Sequence, residues 1–204
     1  MSIKLGIAGT HSTGKTTLVD AVAADLADAG YRVGKIANLA IEAKNNGFPI
    51  LREHSFASTL WIMSRGIALE LQSMLESDVV LVDRPIPDAL GYLFAALQHR
   101  GERLPSWQLE YLQSLSRHHS LTYNRLFRTQ IDPQKPVDQG KARDLDPNFR
   151  AAAAREIDHV FVSLEIPCDL LATDARKAKR QMTEYAFALL KETNTRTDGV
   201  PKSD

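Results

Sequence analysis

The chain has 204 residues, 44% apolar and 25% charged, which suits one α/β domain with a sizeable core. Lys plus Arg and Asp plus Glu each total 25, so no general polyanion-binding field is expected and any positive potential must be local. The single Cys168 excludes an internal disulfide framework and a Cys-built zinc site, and no apolar run approaches the ~20 residues of a membrane span.

Ile3 to Ala8 is β-branched and apolar, a buried strand. Gly9-Thr10-His11-Ser12-Thr13-Gly14-Lys15-Thr16 follows and reads G-x-x-x-x-G-K-T. From Thr17 to Ala29, Leu18, Val19, Val22 and Leu26 recur at helical spacing. Strand, glycine-rich loop and helix are the context in which this motif binds a triphosphate. Glycines let the backbone turn its N–H groups toward an anion, and the helix adds its unpaired donors and dipole. Lys15 would reach the terminal phosphates, and the Thr16 hydroxyl would hold Mg²⁺. We therefore expect ATP along Gly9 to Thr17.

Gly30 ends the first helix, and Tyr31 to Ala37 makes a second strand. Asn38 to Leu51 mixes charges, Gly47 and Pro49, a loop containing a short helix. Ser55 to Glu76 carries Phe56, Leu60, Met63, Ile67, Leu71 and Leu75, a long amphipathic helix. Asp78 to Asp83 is a continuous apolar run closed by a carboxylate, a third strand buried on both faces. Pro85 and Pro87 break the chain before a helix over Asp88 to His99, and Ser106 to His118 makes another. Asn124 to Ile131 alternates as a fourth strand. The polar, proline-broken stretch from Asp132 to Arg143 reads as mobile, and Asp146-Pro147 caps the next helix. Cys168 to Ala172 is a short fifth strand, and Asp174 to Lys191 closes the domain.

Strands alternating with helices imply a five-stranded parallel sheet covered on both faces, the P-loop NTPase fold. One domain is expected over 1–192, with a lid at about 132–148 and a flexible tail at 193–204. Ligands in such sheets gather at the carboxyl ends of the strands. Asp83 lies there, where a carboxylate can hold Mg²⁺ or accept a proton from an attacking hydroxyl. Arg84 follows, and its planar guanidinium matches phosphate oxygens. Lys141, Arg143 and Arg150 flank the mobile stretch, and we read Arg143 as a lid arginine that meets the transferring phosphoryl. Glu70 reads as a solvated helix-face charge; Trp61, Arg65 and Tyr92 read as core rather than acceptor pocket. The adjacent His118 and His119 diverge on a helix and suit no metal site.

The run Asp83-Arg84-Pro85-Ile86-Pro87-Asp88 resembles the D/E-R motif of thymidylate and deoxynucleoside kinases. The layout as a whole is similar to small AAA-like ATP-binding proteins, including nicotinamide riboside kinase-type domains, over nearly the whole chain to about Leu190. The resemblance implies that Asp83 serves the metal or the acceptor hydroxyl and that Arg84 binds the acceptor. It also implies an acceptor-side acid at Glu42, an adenine-side loop at Thr173-Asp174, and a lid at Asp138 to Asp144.

We expect an ATP- and Mg²⁺-dependent phosphotransferase acting on a nucleoside or nucleoside monophosphate. Two alternatives stand beside it: a kinase for another metabolite or antibiotic, and an ATPase serving as a regulatory switch. A guanine-selective enzyme is disfavoured because no N-K-x-D run occurs. No leader precedes the first strand, so a cytoplasmic protein is expected, with a small-molecule acceptor as partner and neither membrane nor nucleic-acid polymer. A homodimer is left open.

Overall fold

A computed structural model describes residues 2–11, 13–130 and 146–197, with side chains up to residue 193. In chain order the elements are β1 (Ile3–Ala8), α1 (Lys15–Asp28), β2 (Val33–Ile36), α2 (Leu39–Asn45), a 3₁₀ turn (Leu51–Glu53), α3 (Phe56–Glu76) and β3 (Val79–Asp83). Then come α4 (Ile86–Arg100), α5 (Ser106–Ser120), β4 (Arg125–Arg128), α6 (Pro147–Ser163), β5 (Asp169–Leu170) and α7 (Ala175–Thr197). The five strands form one sheet in the order β2-β3-β1-β4-β5, every pairing parallel.

Side chains alternate across the sheet because a strand has a period of two. Ile3, Leu5 and Ile7 of β1, with Val79 and Leu81 of β3, face one core closed by α1 and α7. Ala8, Val80 and Val82 face the other, which α2 to α6 cover. Both faces are buried, as an all-parallel sheet requires. The strand order switches at β1: β2 and β3 lie on one side of it, β4 and β5 on the other. A crevice forms outside the strand ends at such a point.

Several boundaries move. Pro85 and Pro87 do not delay α4; Pro85 takes the cap and Pro87 sits in the first turn. A proline is tolerated there because the first N–H groups have no intrahelical partner. Asp88 is thereby placed in the first turn of α4. The fifth strand is only Asp169–Leu170, with Asp169 gripped by Arg125 of β4 at 2.6 and 2.9 Å. Helix α7 continues to Thr197, into the stretch expected to be a loose tail. Gly91 allows α6 to approach α4: a Cβ there would come within 2.7 Å of the Ile157 backbone.

Glu70 overturns its expectation. It is fully buried, accepting from Lys4 Nζ at 2.6 Å, lying 2.7 Å from His119 Nε2, and accepting from the Tyr123 hydroxyl. Burial opposes its charge, but the His119, Lys4 and Tyr123 contacts outweigh that and hold its pKa below the ordinary value. The carboxylate that looked like a solvated charge is the centre of a polar network near the start of β1. Lys4 stands four residues before Ala8, so this network lies ~13 Å from the strand ends.

Candidate active site

The loop after β1 leaves the sheet at its centre. Gly9 adopts φ 135° and Gly14 φ 85°, the conformations that glycine tolerates without strain. A Cβ on Gly9 would also collide with Thr129 Oγ1. Gly14 is the left-handed cap from which α1 begins. Lys15 is buried and folds back over the loop, donating to the Thr10 carbonyl and, at 3.1 Å, to Thr13 Oγ1. Thr13 Oγ1 lies 2.8 Å from Thr129 Oγ1 just past β4. Thr17 is exposed on the first turn of α1. Ser12 and Arg143 lie outside the described residues, as does the lid except for 146–148.

Asp83, the last residue of β3, is buried beside the loop. Its Oδ2 accepts from Thr16 Oγ1 at 2.6 Å, whereas its buried Oδ1 has no hydrogen-bond partner among the described residues. A buried carboxylate oxygen without a donor is costly, and a cation or its water shell would satisfy it.

From α4, Asp88 accepts the Gly9 N–H, 3.1 Å from each carboxylate oxygen. Burial pushes the Asp88 carboxyl up to about 7, against the opposing pull of Lys15, Arg84 and the Gly9 N–H, and nearby Asp83 adds to the rise. One turn further on, the Tyr92 hydroxyl accepts the His11 N–H at 2.9 Å and lies 3.2 Å from Thr10 Oγ1. Arg150 of α6 is also buried here and donates through Nε to the His11 carbonyl at 3.1 Å.

Arg84 leaves β3 at φ 73°, and its N–H extends the pairing with β1 by donating to the Ile7 carbonyl at 3.1 Å. Its guanidinium lies 5.1 Å from the centroid of the Tyr92 ring. Burial works against the charge, but Tyr92, Asp88 and Asp83 prevail and raise its pKa. A cavity opens beside it, bounded by His11, Thr16, Asp83 and Asp88 on the loop side. Its far walls are apolar, from Leu39, Ile50, Leu51, Ile62 and Ile86. Four described residues other than glycine have positive φ, and Asn38, Leu51 and Arg84 among them line this one cavity. Such strain costs ~1–3 kcal/mol per residue and collects where a binding site demands a particular backbone.

His54 lines the cavity too and is 3% exposed. Desolvation first, then the Arg84 and Arg100 charges, lower its pKa to about 4, so it is neutral at pH 7. Arg100 holds the turn in place through the Arg52 and His54 carbonyls.

Other expected residues stand further off. Glu42 follows Ile41, the last lining residue of α2, and is ion-paired with Arg65 at 2.8 Å on the rim. Asp174, four residues beyond β5, caps α7 by accepting the Lys177 N–H at 2.9 Å. Trp61 packs against Phe48 outside the cavity lining. Asp88, Tyr92, His54 and Asn38 were absent from the sequence-derived site. For the first two a signal existed: Asp88 and Tyr92 stand four residues apart, the spacing of one helix face. For Asn38 the only hint was its residue type, since asparagine tolerates a left-handed backbone, and for His54 there was none.

Fold and loop geometry together define a P-loop NTPase. The family model of an AAA domain matches residues 4–179, and the chain belongs to that AAA-domain family. A crystal structure of NadR protein in complex with NR superposes with a TM-score of 0.63 at 16% identity, covering 83% of this chain. The match spans 45% of the NadR chain, less than half its length. No curated protein matches the sequence. Among the described residues, no helix is long and apolar enough to cross a membrane.

Proposed function

We propose that this protein is an ATP-dependent phosphotransferase that moves the γ-phosphoryl group of ATP to a small acceptor, a nucleoside or nucleoside monophosphate. The observation that carries the reading is the shared wall. Thr16, Asp83 and Asp88 border both the phosphate loop and a separate strained, largely apolar cavity. A kinase needs a second pocket opening onto the phosphates, whereas hydrolysis alone does not.

The donor set at Thr16 and Asp83 fits Mg²⁺. The threonine hydroxyl and strand-end aspartate are the protein groups P-loop enzymes use, and the unpartnered Asp83 Oδ1 supplies an acceptor. When bound, Mg²⁺ neutralises charge on the β- and γ-phosphates. The chain's own residues do the rest. Lys15 leaves the Thr10 carbonyl for the triphosphate, and the loop N–H groups with the α1 N-terminus hold its oxygens. Arg84 orients the acceptor, and the apolar walls take its uncharged body. Position and charge carry such a reaction, since phosphoryl transfer asks little covalent chemistry of the protein. The complex of NadR protein with NR, on a similar fold, supports a small-molecule occupant for the cavity.

The test is ATP turnover measured alone and with a panel of nucleosides, nucleoside monophosphates and other hydroxyl-bearing metabolites. ADP formation that requires one acceptor class, with a phosphorylated product, is the expected result. Hydrolysis indifferent to every acceptor would defeat the kinase reading in favour of a switch.

A further inference from the structure

The contacts between α4 and the phosphate loop do more than pack. Asp88 takes the Gly9 N–H and Tyr92 takes the His11 N–H, so one helix face grips the loop at two points. Tyr92 Oη also lies 3.0 Å from His11 Nδ1. The polar contacts of that hydroxyl run to the loop, at Thr10 and His11, and its side chain also interacts with the Arg84 guanidinium. The ring itself sits against Phe149 and His54, contacts a phenylalanine would keep. Packing therefore does not call for the oxygen; the loop and Arg84 do. Beside the same ring stands Arg84, which lines the acceptor cavity and lies over the Tyr92 face.

We propose that Tyr92 is a positioning residue linking the two halves of the site: the placement of Arg84 in the acceptor cavity sets the Tyr92 ring, and the Tyr92 hydroxyl sets the phosphate loop. This rests on the kinase reading and adds to it that acceptor and nucleotide bind cooperatively. Arg84 lies over the Tyr92 ring, and an acceptor that draws it off that ring shifts the ring and, through Oη, the loop. Because the coupling is a free energy shared by two sites, each ligand alters the affinity of the other by the same factor.

A double-mutant cycle tests this without knowing the acceptor. The affinity of ADP with Mg²⁺ is measured for the wild type, Tyr92→Phe, Arg84→Met and the double variant. ADP is chosen because it lacks the γ-phosphate, the group closest to any direct contact with Arg84. Tyr92→Phe is expected to weaken ADP ~10-fold while leaving the melting temperature within about 4 °C of wild type. Arg84→Met is expected to weaken ADP several-fold in the wild-type background and to have no further effect once Tyr92 is Phe. Unchanged ADP affinity in Tyr92→Phe, or an Arg84→Met effect equal in both backgrounds, overturns the link. Should Tyr92→Phe fail to fold, hydrogen exchange decides the matter in Arg84→Met alone. Faster exchange of the phosphate-loop amides supports the link, and unchanged exchange overturns it. ADP binding that ignores both substitutions removes this inference and leaves the kinase reading standing. A wild type that binds no ADP removes both.

Discussion

Thr16 Oγ1 donates to Asp83 Oδ2 at 2.6 Å across the gap between the phosphate loop and the end of β3, leaving Asp83 Oδ1 buried and unpartnered. The pair brings together residues 67 apart in the chain, one at the start of α1 and one at the end of a strand. Substituting Asp83→Asn is expected to lower acceptor-dependent turnover by ~10²–10³-fold, the scale of losing one charge-stabilising group. The Mg²⁺ concentration needed for half-maximal rate should rise with it. Lys15→Ala should lose at least ~3 kcal/mol of transition-state stabilisation. Steady-state kinetics over a Mg²⁺ titration checks both, and near-normal turnover in Lys15→Ala would refute the placement of the triphosphate.

Glu42 separates a surface role from a functional one. Its ion pair with Arg65 is partly exposed, and such pairs contribute ~0–1 kcal/mol. Glu42→Gln should therefore leave urea stability almost unmoved. If the rim carboxylate assists the acceptor, kcat falls at least tenfold at unchanged stability. Equal kcat in the two proteins would reduce Glu42 to a surface charge.

His54 makes stability depend on pH. Its folded pKa of about 4 lies below the ordinary 6.5, mainly through burial. Between these values the unfolded chain binds a proton that the folded chain refuses. The His54 contribution is fully present above pH 6.5, falls as pH drops through the window, and flattens below about 4. The full shift corresponds to ~3 kcal/mol. Urea denaturation from pH 7.5 to 4 in wild type and His54→Gln measures it. The same slope in both proteins would show that His54 does not contribute.

Glu70 should matter to stability and not to nucleotide binding. Removing one member of a buried ion pair leaves the other charge uncompensated, a cost of ~3–5 kcal/mol. Glu70→Gln strands Lys4, which is 1% exposed. We expect a loss of that order in urea, with ADP affinity in the surviving folded fraction equal to wild type. A weakened ADP affinity would place the network in the site after all.

Fold class and the glycine-rich loop after β1 were legible because their signals are local. Gly9 to Thr16 lie in one run, and the alternation of apolar strands with helical periodicity extends over neighbouring residues, so the parallel sheet and the phosphate loop follow from composition and spacing. Asp83-Arg84 was legible for the same reason, as the end of the most apolar strand. Glu70 was not. A lone acid at helical spacing looks the same whether solvated or buried, and only the approach of Lys4 from β1 and of His119 and Tyr123 from beyond α4 decides which.

The cavity beside the loop belongs to tertiary structure for a related reason. Asn38, Leu51, His54, Arg84 and Tyr92 come from separate stretches, and what unites them is a cavity that exists only after α2, the turn at Leu51 and α4 have packed. The left-handed backbones at Leu51 and Arg84 have no signature in residue type, because each is strain imposed by the surrounding fold, whereas asparagine at 38 tolerates that region. The sequence by itself determined that a G-x-x-x-x-G-K-T loop sits at the centre of a parallel sheet. The tertiary structure alone decided that α4 grips the phosphate loop through Asp88 and Tyr92, and that the same helix walls the neighbouring cavity, since both depend on which faces meet when distant segments pack.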